Sequence, residues 1–144
     1  IIHCRDAFSD VFDILSSKDR NNPIILHSWT GGNKWTKRFV ELGVYFSISG
    51  IITYDTAHDL QAAVTKIPRD RLLLETDVPY LAPQPFKGKK NNPTYIKYTG
   101  AKVAELLNLT PNELSEITIS NTNKVMNRDI YEWIFLDRKV KWKT

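Results

Sequence analysis

Apolar positions along the chain switch back and forth between two periods. Ile1-Ile2-His3-Cys4-Arg5 alternates as a strand does, with Ile1, His3 and Arg5 on one side and Ile2 and Cys4 on the other. Phe8, Val11, Phe12 and Leu15 then fall at helical spacing and make one apolar stripe. Ile24-Ile25-Leu26-His27 repeats the strand design, and Trp35, Phe39 and Leu42 line a second helix that starts at Asn33, with Gly43 as its left-handed cap. Val44 to Ser49 reads as a third strand stopped by Gly50. A helix starting near Asp55 or Thr56 carries Leu60, Val64 and Ile67 and ends at Pro68, and Leu72 to Asp77 forms the fourth strand. Strands alternating with helices predict parallel α/β structure. The near-continuous apolar strands agree, because parallel strands are covered on both faces.

After Asp77 the pattern becomes a loop rich in proline and lysine. Pro93 then fits the first turn of a helix with Ile96, Val103, Leu106 and Leu107 inward, weakened by Gly100 at a cost of about 1 kcal/mol. Thr110-Pro111-Asn112-Glu113 is a capping box with proline at the first helical position, and Leu114 and Ile117 mark the buried face of the helix it opens. Past Met126 the periodicity gives way to an aromatic and basic tail with Tyr131, Trp133, Phe135, Lys139, Lys141 and Trp142. Residues 1–128 are therefore taken as one folded unit and 129–144 as a tail, either a docked helix or a loose terminus.

Composition narrows the class without deciding it. A chain of 144 residues with 42% apolar and 25% charged residues is long enough for one domain with a sizeable core. No apolar run approaches the roughly 18 residues needed to cross a bilayer, and no charged-then-apolar leader opens the sequence, so a cytoplasmic address without membrane contact is expected. The single cysteine, Cys4, excludes an intrachain disulfide framework and is expected to pack as a small hydrophobe. A net charge of +4 leans toward an anionic partner.

Candidate chemistry lies at the strand ends. His3, His27 and Asp77 each close a predicted strand, and a parallel β/α architecture brings all strand C-termini to one end. Imidazole nitrogen and carboxylate oxygen suit zinc, manganese and related divalent ions. A single histidine or aspartate at such a place is usually a hydrogen-bonded core residue or a helix cap; three along one edge favour a metal site. His58, on a predicted helix surface, carries no such pattern.

Ile2-His3-Cys4-Arg5-Asp6-Ala7, His27-Ser28-Trp29-Thr30-Gly31, Ser47-Ile48-Ser49-Gly50 and Leu73 to Pro83, with its Glu-Thr-Asp-x-Pro-Tyr-Leu-Ala-Pro run, resemble successive motifs of the TatD family of metal-dependent deoxyribonucleases. Asn92-Pro93 and the segment Leu114 to Met126 continue the likeness. The resemblance implies a (β/α)₈ TIM-type barrel of the amidohydrolase kind that holds one or two divalent ions (magnesium, manganese or zinc) and cleaves DNA phosphodiesters. His3 and His27 match the metal histidines of the fifth and sixth strands. Asp77 matches the aspartate of the eighth, which in such enzymes binds metal and takes a proton from the attacking water. Such proteins also begin with a His-x-His pair and supply a glutamate from a middle strand. Neither is recognisable here, so the sequence corresponds to the second half of the barrel, strands five to eight.

Several neighbours of these residues have two readings each. Glu75 either orients a metal ligand or pairs with Arg5 or another base. Arg5 meets a phosphate or pairs with a carboxylate. Lys87, Lys89 and Lys90, on the loop after the last strand, hold phosphate or are simply solvated. Trp29 stacks on a base or packs against its loop. Four parallel strands cut from a closed barrel leave two unpaired edges, so the chain is expected to join the missing N-terminal half-barrel or to self-associate, and to have little nuclease activity alone. A non-catalytic assembly fragment, and a hydrolase of small esters, lactones or amides on the same architecture, are the competing functions.

Overall fold

The computed structural model describes residues 1–18 and 21–126. Four strands, β1 (Ile2–His3), β2 (Ile25–His27), β3 (Tyr45–Ile48) and β4 (Leu72–Leu74), form one sheet in the order β1-β2-β3-β4. Every neighbouring pair is parallel. Helices α1 (Phe8–Ser16), α2 (Asn33–Glu41) and α3 (His58–Val64) connect consecutive strands, and α4 (Ile96–Leu106) and α5 (Pro111–Met126) follow β4. The alternation read from the sequence is thus the observed one. The predicted tail, 129–144, lies outside the described residues.

The side of the sheet that faces the helices carries Leu26, Phe46, Ile48 and Leu72, all fully buried in the main core together with Phe39, Val64 and Val103. By alternation the opposite side carries His3, Ile25, His27, Tyr45, Ser47 and Leu73. Register fixes which of these meet: His3 is paired with His27, Ile25 with Tyr45 and Ser47 with Leu73. All four residues of β3 are buried, as expected of an inner parallel strand. Within the described residues β1 and β4 each have one side without a neighbour.

Most element boundaries follow local chemistry. Gly43 takes φ +68 after α2, the left-handed position assigned to it. At the start of α5, Glu113 N donates to Thr110 Oγ1 at 3.2 Å and Thr110 N donates to the Glu113 carboxylate at 2.7 Å, completing the capping box. The Thr110 amide and the Thr110 hydroxyl, which donates to the same carboxylate at 2.8 Å, hold the Glu113 carboxyl below its usual pKa. The helix expected from Asp55 or Thr56 begins later, at His58, because Ala57 N is engaged by Tyr54 O in a preceding turn. Pro93 opens a 3₁₀ turn to Tyr95 before α4 begins. Ile96, expected inward on α4, is 39% exposed: with Leu74 it borders a concavity of about 600 Å³ between α4 and α5.

Candidate metal centre

His27 sits between two carboxylates at the C-terminal edge of the sheet. Its Nδ1 is 2.8 Å from Glu75 Oε1 and its Nε2 is 3.3 Å from Asp77 Oδ1. Ladder geometry explains the meeting: Glu75 N donates to Ile48 O at 3.0 Å, extending β4 two residues short of Asp77, so Glu75 and Asp77 reach the rim beside the end of β2. The side chains of Glu75 and Asp77 are only 18% and 26% exposed, and among the described residues their one ionic contact is His27.

The Glu75 contact is short in distance but lacks hydrogen-bond alignment, and Oε1 is buried without a hydrogen-bonding partner. A buried carboxylate oxygen left in that state costs about 1–3 kcal/mol or more. Two half-buried acids sharing one imidazole form a site short of positive charge, which a cation would supply. The donor atoms fit one. Ligands held at about 2.0–2.1 Å around a tetrahedral ion lie about 3.3 Å apart, and Nε2 and Oδ1 are 3.3 Å apart. Ligand atoms of His27, Glu75 and Asp77 all lie within 4.8 Å of one another, so these three residues could hold an ion.

His3 stands next to this group. Its ring centroid is 5.7 Å from that of His27, as the direct register between β1 and β2 requires. His3, Arg5, Ser28, Asp77 and Tyr80 wall a cavity of about 430 Å³ at the strand ends. The larger concavity between α4 and α5 contains no such group of ligands. Arg5 makes no ion pair among the described residues, so the alternative in which it neutralises Glu75 is not realised. Cys4 is 4% exposed, and burial pushes its thiol pKa up, keeping it a neutral packing residue as expected.

Rim backbone is strained where these side chains emerge. Asp6, Ser28 and Asp77, each just past a strand, have φ of +57, +45 and +48, and Leu81 has φ +55. Non-glycine residues pay roughly 1–2 kcal/mol for this region and keep it only when their surroundings impose it. Around Ser28 the imposing contacts are the Ser28–Ser49 hydroxyl bond of 2.7 Å and Trp29 N donating to Ser47 O at 2.9 Å. Around Asp77 and Leu81 they come from Asn91, whose side-chain amide donates to Thr76 O and Tyr80 O, and from Tyr54, whose hydroxyl donates to Ala82 O at 2.9 Å.

Trp29 is not available to a base. It is 1% exposed, its ring meets Phe8, Phe39 and Phe46 edge to face at 5.3 Å each, and Nε1 donates to Thr36 Oγ1 at 2.9 Å. Strand alternation would put Trp29 on the side of His27, but the left-handed Ser28 between them breaks that alternation and turns the ring into the core. Lys87 lies over the Tyr54 ring at 4.4 Å, while Lys89 and Lys90 are exposed. Neither Asn91 nor Tyr80 carries an assigned role in the sequence, although Tyr80 lies within the Glu-Thr-Asp-x-Pro-Tyr-Leu-Ala-Pro run. The one hint of Asn91 was an amide beside the lysine run, which can serve several loop carbonyls at once.

The family model described as TatD related DNase matches residues 1–127. The chain belongs to that family. A TatD homologue from Escherichia coli, YjjV, has a crystal structure that superposes with a TM-score of 0.80 at 28% identity, covering 85% of this chain and 48% of that one. A TatD family hydrolase from Entamoeba histolytica superposes at TM-score 0.75 with 17% identity, a likeness of fold. Among curated relatives, YabD of Bacillus subtilis is 39% identical over 126 residues, 87% of this chain and 49% of that protein. YcfH of Escherichia coli K12 is 37% identical over 130 residues, 90% of this chain and 49% of that protein. Both carry the name uncharacterized metal-dependent hydrolase. The chain spans about half the length of the curated relatives it matches.

Proposed function

We propose that this TatD-family chain is the half of a (β/α)₈ barrel comprising strands five to eight, and that the complete barrel is a metal-dependent hydrolase of DNA phosphodiester bonds. The observation that carries the reading is His27 held between Glu75 and Asp77, the latter also lining the strand-end cavity with His3. The two strand edges left open among the described residues and the half-length match to the relatives support a second half-barrel as the partner that closes the site.

His27 and Asp77 are the proposed ligands of a magnesium, manganese or zinc ion, with His3 joining from β1. A divalent ion bound there supplies Lewis-acid polarisation of a phosphoryl oxygen and acidifies water enough for attack near neutral pH. Glu75 faces Nδ1 of His27, which favours the tautomer whose Nε2 lone pair is free. Asp77 serves as the acceptor for the proton that the attacking water releases. Arg5 lines the cavity, which supports a role for it in meeting a phosphate oxygen, and Lys87, Lys89 and Lys90 add positive charge along the following loop.

The test joins this chain to the other half of the barrel and measures nucleotide release from DNA with added Mg²⁺, Mn²⁺ or Zn²⁺. Expected are metal-dependent cleavage, loss of it in Asp77→Asn, little or no cleavage by the 144-residue chain alone, and no turnover of small carboxylic esters. Cleavage that persists in Asp77→Asn, or turnover confined to esters, would overturn the reading.

A further inference from the structure

Tyr80 combines a fixed backbone with a free side chain. Its amide donates to Asp77 O at 2.9 Å, closing a turn that begins at Asp77 itself. Its carbonyl accepts from the Asn91 side chain at 2.6 Å, and Asn91 N donates to Pro79 O at 3.0 Å. One residue on, Leu81 O is pressed so closely on Gly50 that a Cβ there would lie 2.1 Å from it. Tyr54 bonds the carbonyl of Ala82, and Gln84 N donates to Thr53 Oγ1 at 2.8 Å. The loop is therefore tied at nearly every residue.

The ring itself is 70% exposed and stands in the wall of the cavity that contains His3, Arg5 and Asp77. Among the described residues it has no aromatic, ionic or hydroxyl partner. Large aromatic side chains ordinarily bury their faces, and an exposed one on rigid backbone beside a candidate catalytic centre is a preorganised contact surface. Positive charge from Arg5 on the same wall and from the lysine loop that follows makes the expected ligand an anionic chain bearing flat rings. Single-stranded nucleic acid is such a ligand, and it binds proteins through this pairing of basic groove and aromatic platform.

We propose that Tyr80 is the base-stacking platform of the site, receiving the face of a nucleobase next to the phosphate presented to Asp77. This rests on the DNA reading above and moves the stacking role away from Trp29. The platform gives affinity for any base with little sequence preference, because every base has a π face. A tyrosine ring also fits this use through its low rotamer cost, having only two side-chain torsions to fix.

The test uses the 144-residue chain with a short DNA strand containing 2-aminopurine and a matched strand with abasic residues, in Ca²⁺ buffer where no cleavage is detected. Wild type should quench 2-aminopurine fluorescence on binding. Tyr80→Ala should lose the quench and bind the intact strand roughly 5- to 150-fold more weakly, the range of one base–aromatic stack, while Tyr80→Phe and Tyr80→Trp keep both. The abasic strand should bind wild type and Tyr80→Ala alike. Wild-type binding of the intact strand that Tyr80→Ala leaves unchanged would overturn the platform and leave the DNA reading standing. Wild type binding neither strand, both alone and joined to the other half of the barrel, would overturn both. Since the side chain is exposed, unchanged circular dichroism of Tyr80→Ala is expected and separates loss of stacking from loss of fold.

Discussion

Replacing Glu75 with glutamine keeps the volume of the side chain and removes its charge, so it isolates what the carboxylate does for His27. A carboxylate at 2.8 Å from Nδ1 favours a proton on that nitrogen and leaves Nε2 free to ligate. The contact lacks hydrogen-bond alignment and acts through the proximity of the carboxylate charge, so neutralising the partner withdraws on the order of 1–1.5 kcal/mol of tautomer bias. That alone is close to tenfold in affinity for an ion. If the amide turns its NH₂ toward Nδ1, the proton is driven to Nε2 and the loss grows. The expected weakening is therefore about 10- to 100-fold in Kd, or roughly 1.4–2.7 kcal/mol. Calorimetric titration of Mn²⁺ or Zn²⁺ into the 144-residue chain measures it, with Asp77→Asn and His27→Gln as controls that remove a proposed ligand. Unchanged affinity in Glu75→Gln alongside a clear loss in both controls would refute the positioning role of Glu75. Unchanged affinity in all three would refute the metal centre itself.

Three further perturbations probe the scaffold. Trp29→Ala removes a ring packed on three aromatics and should cost about 3–5 kcal/mol of stability by urea unfolding, while a base-stacking tryptophan on the surface would cost under 1. Gly50→Ala places a Cβ 2.1 Å from Leu81 O, against ordinary contacts of 3.4 Å and beyond, so the Asp77–Pro83 loop has to move; destabilisation of about 1–3 kcal/mol and, in the complete barrel, cleavage slower by on the order of 10²-fold are expected, and wild-type values for both would show the loop to be slack. Glu113 has its carboxyl pKa lowered by the Thr110 amide and hydroxyl, so its folded-state value lies below the unfolded one. Its contribution to stability is complete above the unfolded value and disappears as pH falls through the folded value. Glu113→Gln should therefore flatten the acid side of the stability profile, and an unaltered slope of unfolding midpoint against pH would exclude the capping carboxylate as its source.

Periodicity alone was enough for the order of strands and helices because each strand is a short apolar run and each helix has a clear stripe. Where a single residue was assigned a face, tertiary context sometimes reversed it. Ile96 has the spacing of an inward residue, yet it borders a concavity with no described element over it. Trp29 could be read as stacking on a base or as packing against its loop, and the left-handed Ser28 between it and His27 decides for packing by turning it into the core. Positive φ at a serine cannot be seen in sequence, since it is imposed by contacts with Ser49 and Ser47, about 20 residues away. Asn91 escaped for the same reason: its bonds are to backbone carbonyls of a loop whose path depends on them. His3, His27, Glu75 and Asp77 were legible because strand parity and parallel direction together are enough to place them.

That legibility bears on how the centre is built. His27, Glu75 and Asp77 converge through two strand pairings, β2 with β3 and β3 with β4, and His3 joins through the pairing of β1 with β2. None of these requires a residue outside the described sheet. The carboxylates are already held beside the imidazole, and the strained rim is already fixed by Ser49, Tyr54 and Asn91. On the proposed half-barrel reading, closing the barrel would have less to do with assembling these donors than with adding ligands and excluding water. A half-barrel should on this view bind an ion before it can use one, and ion affinity and nuclease activity should part company. Measurable Zn²⁺ or Mn²⁺ binding by the 144-residue chain, with cleavage appearing only when the other half is supplied, is the outcome this construction requires; ion binding that also needs the other half would place the decisive ligands there instead.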